Sequence, residues 1–146
     1  MARLPAPYIA QPGATKPSEM SVTPMVGYSG ANGVEAGGKV DYLIANAAFI
    51  PKLNNSVFIE GEAFFASNGG PFVAPGLRWE FHLHPMWTVY GEGGIEANLN
   101  PGRHEPGATL VIAAGAIWHI PAKGYAVRGE VNSGHGALRA GPQFGF

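Results

Sequence analysis

The sequence has no cysteine, so neither a disulfide framework nor a thiolate metal site is open to it. Charge is scarce as well, since only 13% of the 146 residues are charged, about half the usual share for a globular protein. The formal net charge is −1, and a protein that binds nucleic acid would need a basic face that this composition does not supply. Lysine is rarer still, with four in the chain, which is few for a soluble surface.

Long apolar runs are also missing. No stretch approaches the roughly 18–20 residues that a membrane-spanning helix requires. The longest, such as residues 109–121, have about the length of one tilted membrane strand. No secretory signal is visible, because Met1 to Pro5 leads into no apolar segment. If the protein is exported, we therefore expect the sequence to be a mature or engineered form that starts after the cleavage site.

What the sequence does contain is glycine and aromatic residues. It has 22 glycines and 13 prolines, a level that often signals disorder, yet 46% of residues are hydrophobic and 11% aromatic, which argues against disorder. The length predicts one domain. Residues 1–19 are rich in proline and predict an irregular arm, most simply a floppy terminus, with a docked or partner-binding segment as the alternative. Residues 20–146 carry the fold.

Alternating apolar and polar residues, interrupted by turn signals, predict eight strands and no helix. The predicted strands are 21–29, 35–50, 56–66, 72–84, 86–98, 108–120, 125–132 and 137–146. Tight turns begin at Ile50-Pro51, His84-Pro85 and Ile120-Pro121, at intervals of roughly 35 residues, as hairpin repeats of a meander would give. The fold class is therefore predicted to be all-β, an eight-stranded antiparallel up-and-down barrel, because closure removes the sheet edges.

The two faces of these strands differ sharply. One face carries large apolar side chains, and the other mixes Glu, Arg and His with Gly, Ala and Thr. A soluble, lipocalin-like barrel would turn the apolar face inward, whereas a membrane barrel turns it toward lipid. The scarcity of lysine on the polar face favours the transmembrane barrel. Its interior is then predicted to be filled by a network of ion pairs. The predicted members are Lys39, Asp41, Glu60, Glu62, Arg78, Glu80, Glu92, Glu96, Arg128, Glu130 and Arg139.

Aromatic residues near the tight turns support the same orientation, since such residues collect at membrane interfaces. The predicted girdle consists of Phe81, Trp87, Trp118, Tyr125, Phe144 and Phe146. The second strand is irregular. Lys39 and Asp41 fix its inward face, which would leave Asn46 toward lipid and Phe49 toward the interior. A β-bulge near residues 45–47 would exchange the two, and we predict one there.

The chain ends with Arg139, Gly141, Phe144 and Phe146 at fixed spacing. This pattern resembles the terminal signal of bacterial outer-membrane β-barrel proteins, and the segment from Val22 to Tyr28 looks like a typical opening strand of such proteins. The resemblance implies a small, porin-like barrel of the Gram-negative cell envelope, surrounded by outer-membrane lipids. It also implies recognition of the last strand by the barrel-assembly machinery, both termini in the periplasm and the glycine-rich loops outside.

Several residues could carry chemistry, and each has a structural interpretation that we favour. His82 and His84 share a strand face as some metal ligands do, with His119 near the same turn end. Ser133 and His135 are similar to the Ser/His pair of outer-membrane lipid A deacylases, but their order and spacing differ from that motif. Glu60 and Glu62 could form a glycosidase pair only beside an open cleft. We therefore predict no catalytic residues, no metal and no cofactor.

The resulting functional hypothesis is a structural or anchoring barrel of the outer membrane, with a possible envelope-protein partner contacted through residues 1–19. The alternatives are a narrow pore for ions or small solutes, an outer-membrane lipid-modifying hydrolase, and a soluble lipocalin-like barrel that binds a ligand.

Overall fold

The computed structural model describes residues 4–47, 49–99, 107–133 and 137–146. Each strand pairs with the next in antiparallel fashion, and the last closes on the first to form a closed barrel. The strands are β1 (Met20–Ser29), β2 (Gly33–Asn46), β3 (Asn55–Ala66), β4 (Gly70–His84), β5 (Trp87–Asn98), β6 (Thr109–Ile120), β7 (Tyr125–Asn132) and β8 (Ala137–Gly145). The predicted up-and-down barrel is confirmed. No helix in the described residues is long and apolar enough to cross a membrane.

The register follows from the alternation in the sequence. Residues of one parity line the interior, so a one-residue slip would move every charge of a strand to the outer face. Between β2 and β3, Lys39 lies opposite Glu62, which places opposite charges side by side on the inner face. Asp41 lies opposite Glu60, and the Arg78 guanidinium from β4 contacts both carboxylates (2.6 and 2.7 Å). The apolar pattern therefore fixes which face of each strand is inside, and the charged groups on that face meet within the barrel.

The second strand is shorter than predicted, because it ends at Asn46 and not near Ile50. The pairing of β2 with β3 shifts between Leu43 and Ala45, so the bulge lies slightly before the predicted position. Its consequence is the predicted one. The Asn46 side chain accepts a hydrogen bond from the buried Ser56 hydroxyl (3.0 Å), while Phe49 is 64% exposed.

The two ends of the barrel are different. We call the end that holds both termini and the connections at 47–54, 85–86 and 121–124 the terminal end, and the opposite one the loop end. The arm crosses the terminal end, with one 3₁₀ turn at Tyr8–Ala10. The Asn54 backbone N–H donates to the Ile9 carbonyl (2.7 Å), and its side-chain amide exchanges hydrogen bonds with Thr15 (3.0 and 3.3 Å). The arm is therefore docked, as the alternative interpretation anticipated.

Candidate functional site

The outer face of the barrel is apolar around its circumference. Side chains on it are largely exposed, for example Leu110 at 71%, Val26 at 65% and Leu138 at 64%. Inner-face charges have the opposite environment, since Arg78 and Arg128 are both 0% exposed. A soluble barrel of this size would bury the first group and expose the second. The distribution is the one that a lipid surround requires.

Lys39 lies at the centre of the interior ion network. Its ammonium group lies 3.0 Å from a Glu60 oxygen, 3.1 Å from Glu62 and 2.8 Å from Glu130, and it also contacts Glu92. An ammonium has three protons to donate, so these four carboxylates from β3, β5 and β7 share one cation. The contacts tie β2 to strands across the barrel.

Two arginines extend the network. The Arg78 guanidinium lies 2.6 Å from Asp41, 2.7 Å from Glu60 and 3.0 Å from Glu80. Arg128 lies 2.9 Å from Glu60 and contacts further carboxylates at 2.7 Å (Glu92), 3.2 Å (Glu130) and 3.5 Å (Asp41). The flat guanidinium fork suits such multiple pairing better than a lysine would.

Tyr90 is a neutral member of the network. The Arg128 Nε–H donates to its hydroxyl at 2.8 Å, and the hydroxyl donates to Glu130 at 2.9 Å. The Arg128 guanidinium also lies 4.6 Å from the centre of the Tyr90 ring, within cation–π range. Tyr90 therefore stabilises Arg128 through both its oxygen and its ring.

Toward the loop end, Arg139 leads into an apolar cap. Its guanidinium lies 2.8 Å from Glu35 and 3.3 Å from Glu62. It also lies 4.1 Å from the centre of the Phe64 ring, which stacks on Phe72 at 5.8 Å. Met25, Phe64, Ala66 and Phe72 form one buried cluster here. The interior at this end is thus closed by aromatic side chains over a paired cation.

Every residue predicted for the lumen is buried or half-buried in the barrel interior. Glu80 pairs with Arg78, and Glu96 is 5% exposed near the loop end. Two members were not in the predicted set, Glu35 and Tyr90. Glu35 has the same parity as Lys39 and Asp41, so the alternation could have identified it. With Glu35 included, eight acidic and four basic side chains share the interior.

The predicted girdle residues lie at the terminal end. Trp87 and Trp118 stack at 6.1 Å, and Tyr125 lies 6.2 Å from Phe144. Trp87, Trp118, Phe144 and Phe146 are 41–71% exposed, and Phe81 is half-buried against Trp79 at 5.2 Å. The aromatic groups therefore lie at this end as separate contacting pairs on neighbouring strands. In the terminal motif, Arg139 points inward while Phe144 and Phe146 point outward.

A chain of hydrogen bonds lies below the network. The His82 imidazole bonds the Ser56 hydroxyl (2.8 Å) and the Thr88 hydroxyl (2.9 Å), and Thr88 also bonds His119 (2.9 Å). His82 and His119 are thus brought together, whereas His84 is exposed and accepts from the Met86 N–H (3.2 Å). The histidine pair with i, i+2 spacing is therefore not assembled into one site.

The residues that could bind a metal ion or act as a nucleophile are already engaged in other contacts. Among the described residues, the carboxylates of Glu60, Glu62 and Glu92 are the one acidic or imidazole trio close enough to share an ion, and the Lys39 ammonium contacts all three. The Ser133 hydroxyl accepts a hydrogen bond from the Ile112 N–H (3.0 Å). The second member of that predicted pair, His135, lies outside the described residues.

A cavity of about 270 Å³ opens at the terminal end, between the arm and the interior. The arm contributes residues 15–18, and the barrel contributes Glu80, His82, His119 and Gln143 among others. It lies at the end of the barrel opposite the aromatic cap. We call it the terminal cavity.

Comparison with known proteins places the fold. No protein-family model matches the chain, and no curated protein matches it. A solved structure described as "De novo design of transmembrane beta-barrels" is similar to it, with a TM-score of 0.69 and 18% sequence identity. The similarity covers 90% of this chain and 98% of that chain. At this level of identity the likeness concerns the fold alone, a closed eight-stranded barrel.

Proposed function

We propose that this protein is an integral β-barrel of the bacterial outer membrane that acts as a structural or anchoring component of the cell envelope. The observation that supports the proposal is the inverted distribution of side chains, with apolar groups outside and a paired ion network inside. Exposed apolar area of this extent is rare on a soluble monomer. In lipid the same area is stabilising, and the closed ladder leaves no sheet edge.

The dimensions agree with a membrane-spanning role. A strand of 12 residues, such as β3, is about 40 Å long at roughly 3.3 Å per residue. Tilted by about 45°, it spans about 28 Å, close to the apolar band of about 25 Å in outer-membrane barrels. The girdle residues at the terminal end then lie at one membrane–water interface.

The filled interior favours anchoring over conduction. Described side chains close the lumen in two layers, the aromatic cap at the loop end and the ion network in the middle. An eight-stranded barrel has an interior just wide enough for side chains. The arm supplies a candidate contact with an envelope protein, because Leu4 is 91% exposed while the segment around Thr15 is fixed to the barrel. We expect the termini and the arm in the periplasm.

Reconstitution into lipid vesicles tests the proposal. We expect the protein to float with the vesicles, to need detergent for extraction, and to shift its gel mobility on heating. Planar-bilayer recordings should show no step conductance beyond that of the lipid. A soluble monomer without detergent would refute the membrane assignment, and steady channels would replace anchoring by the narrow-pore alternative. Altered lipid A in cells that make the protein would favour the hydrolase.

A further inference from the structure

The chain of hydrogen bonds below the ion network continues to the arm, and its direction follows from its first member. That member is the Thr15 carbonyl, which can only accept, so the Asn46 amide nitrogen donates to it (3.2 Å). The Asn46 amide oxygen then faces the Ser56 hydroxyl and accepts its single proton (3.0 Å). The Ser56 oxygen therefore accepts from His82, whose Nε2 atom carries the N–H (2.8 Å).

The same reasoning fixes the tautomer of both histidines. His82 is 1% exposed and has no carboxylate in hydrogen-bond contact, which favours the neutral ring with one N–H. Since that N–H is on Nε2, the Nδ1 atom accepts the Thr88 proton (2.9 Å). The Thr88 oxygen then accepts from the Nε2–H of His119 (2.9 Å). The Nδ1 atom of His119 is thereby left as an acceptor, and it has no hydrogen-bond partner among the described residues.

The terminal cavity collects acceptors that lack a donor. His119 lines it from β6, Glu80 from β4 and Gln143 from β8. Glu80 is 3% exposed, and its Oε1 atom lies 3.0 Å from the Arg78 Nε but receives no hydrogen bond in that geometry. The buried amide oxygen of Gln143 has no partner either. Because buried acceptors without a donor are costly, a ligand that supplies donors is stabilised here.

The charge of the interior favours a cation among such ligands. Eight acidic and four basic side chains share the interior, and Glu80 is the acidic side chain that lines the terminal cavity. Part of the lining is apolar and comes from Phe58, Ile120 and Pro121, which suits a short hydrocarbon chain. Lys16 of the arm also contributes to the lining and is exposed. Its positive charge opposes a bound cation, which provides a test below.

We propose that the terminal cavity binds a small amino alcohol in its ammonium form, such as protonated ethanolamine. The ammonium group pairs with the Glu80 carboxylate, and the remaining N–H and O–H donors satisfy the His119 Nδ1 and the Gln143 amide oxygen. The cavity of about 270 Å³ has room for about nine waters at about 30 Å³ each, which is ample for four heavy atoms. Residues 15–18 of the arm close over the ligand. The site goes beyond the proposed function and does not depend on which membrane holds the barrel.

Titration with ethanolamine, followed by nitrogen NMR of isotope-labelled histidine side chains, tests the site. The protein is held in maltoside micelles at about pH 8, where an ordinary imidazole is neutral and a primary amine is charged. Without ligand, His82 and His119 should both show the Nε2–H tautomer. Ethanolamine should shift the His119 Nδ1 resonance saturably. It should leave His84 unchanged, because that ring does not line the cavity.

Two further probes separate charge from hydrogen bonding. Ethylene glycol has the size of ethanolamine and two donors but no charge. Tetramethylammonium has the charge but no donor. Each should bind at least about tenfold more weakly than ethanolamine, the effect of losing one hydrogen bond that involves a charged group.

Variants test the roles of the lining residues. Glu80→Gln should weaken ethanolamine binding at least about tenfold. The matched control is Glu96→Gln, which removes the same charge near the loop end, outside the cavity. His119→Gln retains a donor for Thr88 and lacks the Nδ1 acceptor, so it should weaken binding while heat-dependent gel mobility still shows a closed barrel. Lys16→Ala should tighten binding, because it removes a like charge from the lining.

The outcomes distinguish this inference from the proposed function. An Nδ1–H tautomer at His119, equal binding of ethylene glycol, or equal weakening by Glu80→Gln and Glu96→Gln would each overturn the site. The same shifts from phosphatidylethanolamine added to the micelles would assign the cavity to a lipid head group and overturn the free amino alcohol. Failure to insert into vesicles would refute the membrane assignment and leave the ethanolamine titration as it stands.

Discussion

Replacing Arg128 by methionine should be among the most damaging single changes in the barrel interior. The guanidinium is fully buried and contacts four carboxylates at 2.7–3.5 Å as well as the Tyr90 hydroxyl. Methionine fills much of the volume but supplies no charge and no donor. Removing one partner of a buried ion pair costs about 3–5 kcal/mol, because the remaining charge is left uncompensated. That is a large part of a total stability of about 5–15 kcal/mol.

The matched control is Glu92→Gln. Glu92 and Arg128 are in direct contact, so both variants break the same pair at 2.7 Å. The interior has eight acidic and four basic side chains, and an acid can therefore be neutralised without leaving a cation unpaired. Lys39 keeps three carboxylates and Arg128 keeps three. We expect a cost of about 1 kcal/mol or less, the size of one net hydrogen bond.

Urea unfolding in detergent micelles, followed by tryptophan fluorescence, measures both variants. Heat-dependent gel mobility shows in parallel whether each has closed into a barrel before unfolding. Arg128→Lys should lie between the two, because an ammonium keeps the charge and loses the fork geometry. Equal destabilisation by Arg128→Met and Glu92→Gln would refute the reasoning, since it would mean that the excess of acids has no effect on stability.

Three further results are expected. Gly115→Val should prevent closure of the barrel, because a β-carbon there would overlap the Tyr90 hydroxyl. Gly61→Val should be tolerated, because the space above Gly61 is open. The heat-dependent shift in gel mobility, which reports barrel closure, should distinguish the two variants. Asn54→Leu should release the arm and expose it to limited proteolysis, while Lys52→Ala should not, because Asn54 alone of the two bonds the arm. Lipids brominated near the head group should quench the three tryptophans more than lipids brominated at the chain end, since all three lie near the terminal end; equal quenching would contradict an interfacial position.

Much of the fold follows from local pattern. The alternation of apolar and polar residues predicted all eight strands, most of them to within one or two residues, because a period of two is a property of each strand by itself. The same parity named most of the interior charges. It failed at the end of the second strand, where the predicted strand continued to Ile50 past a bulge. The hydrophobic pattern alone does not show how many residues belong to a bulge, and so it does not show where the strand ends.

What only the tertiary structure decided is which distant groups meet. Arg139 pairs with Glu35 across 104 residues, and the arm docks on Asn54, and neither contact leaves a periodic trace in the sequence. Pro24 and Pro142 can be read from the sequence, but only the register between β1 and β8 places them opposite each other in neighbouring strands. The register between the last strand and the first depends on the register shifts between all neighbouring strands, so it is a property of the whole barrel. The inward or outward direction of a side chain, in contrast, is fixed within its own strand.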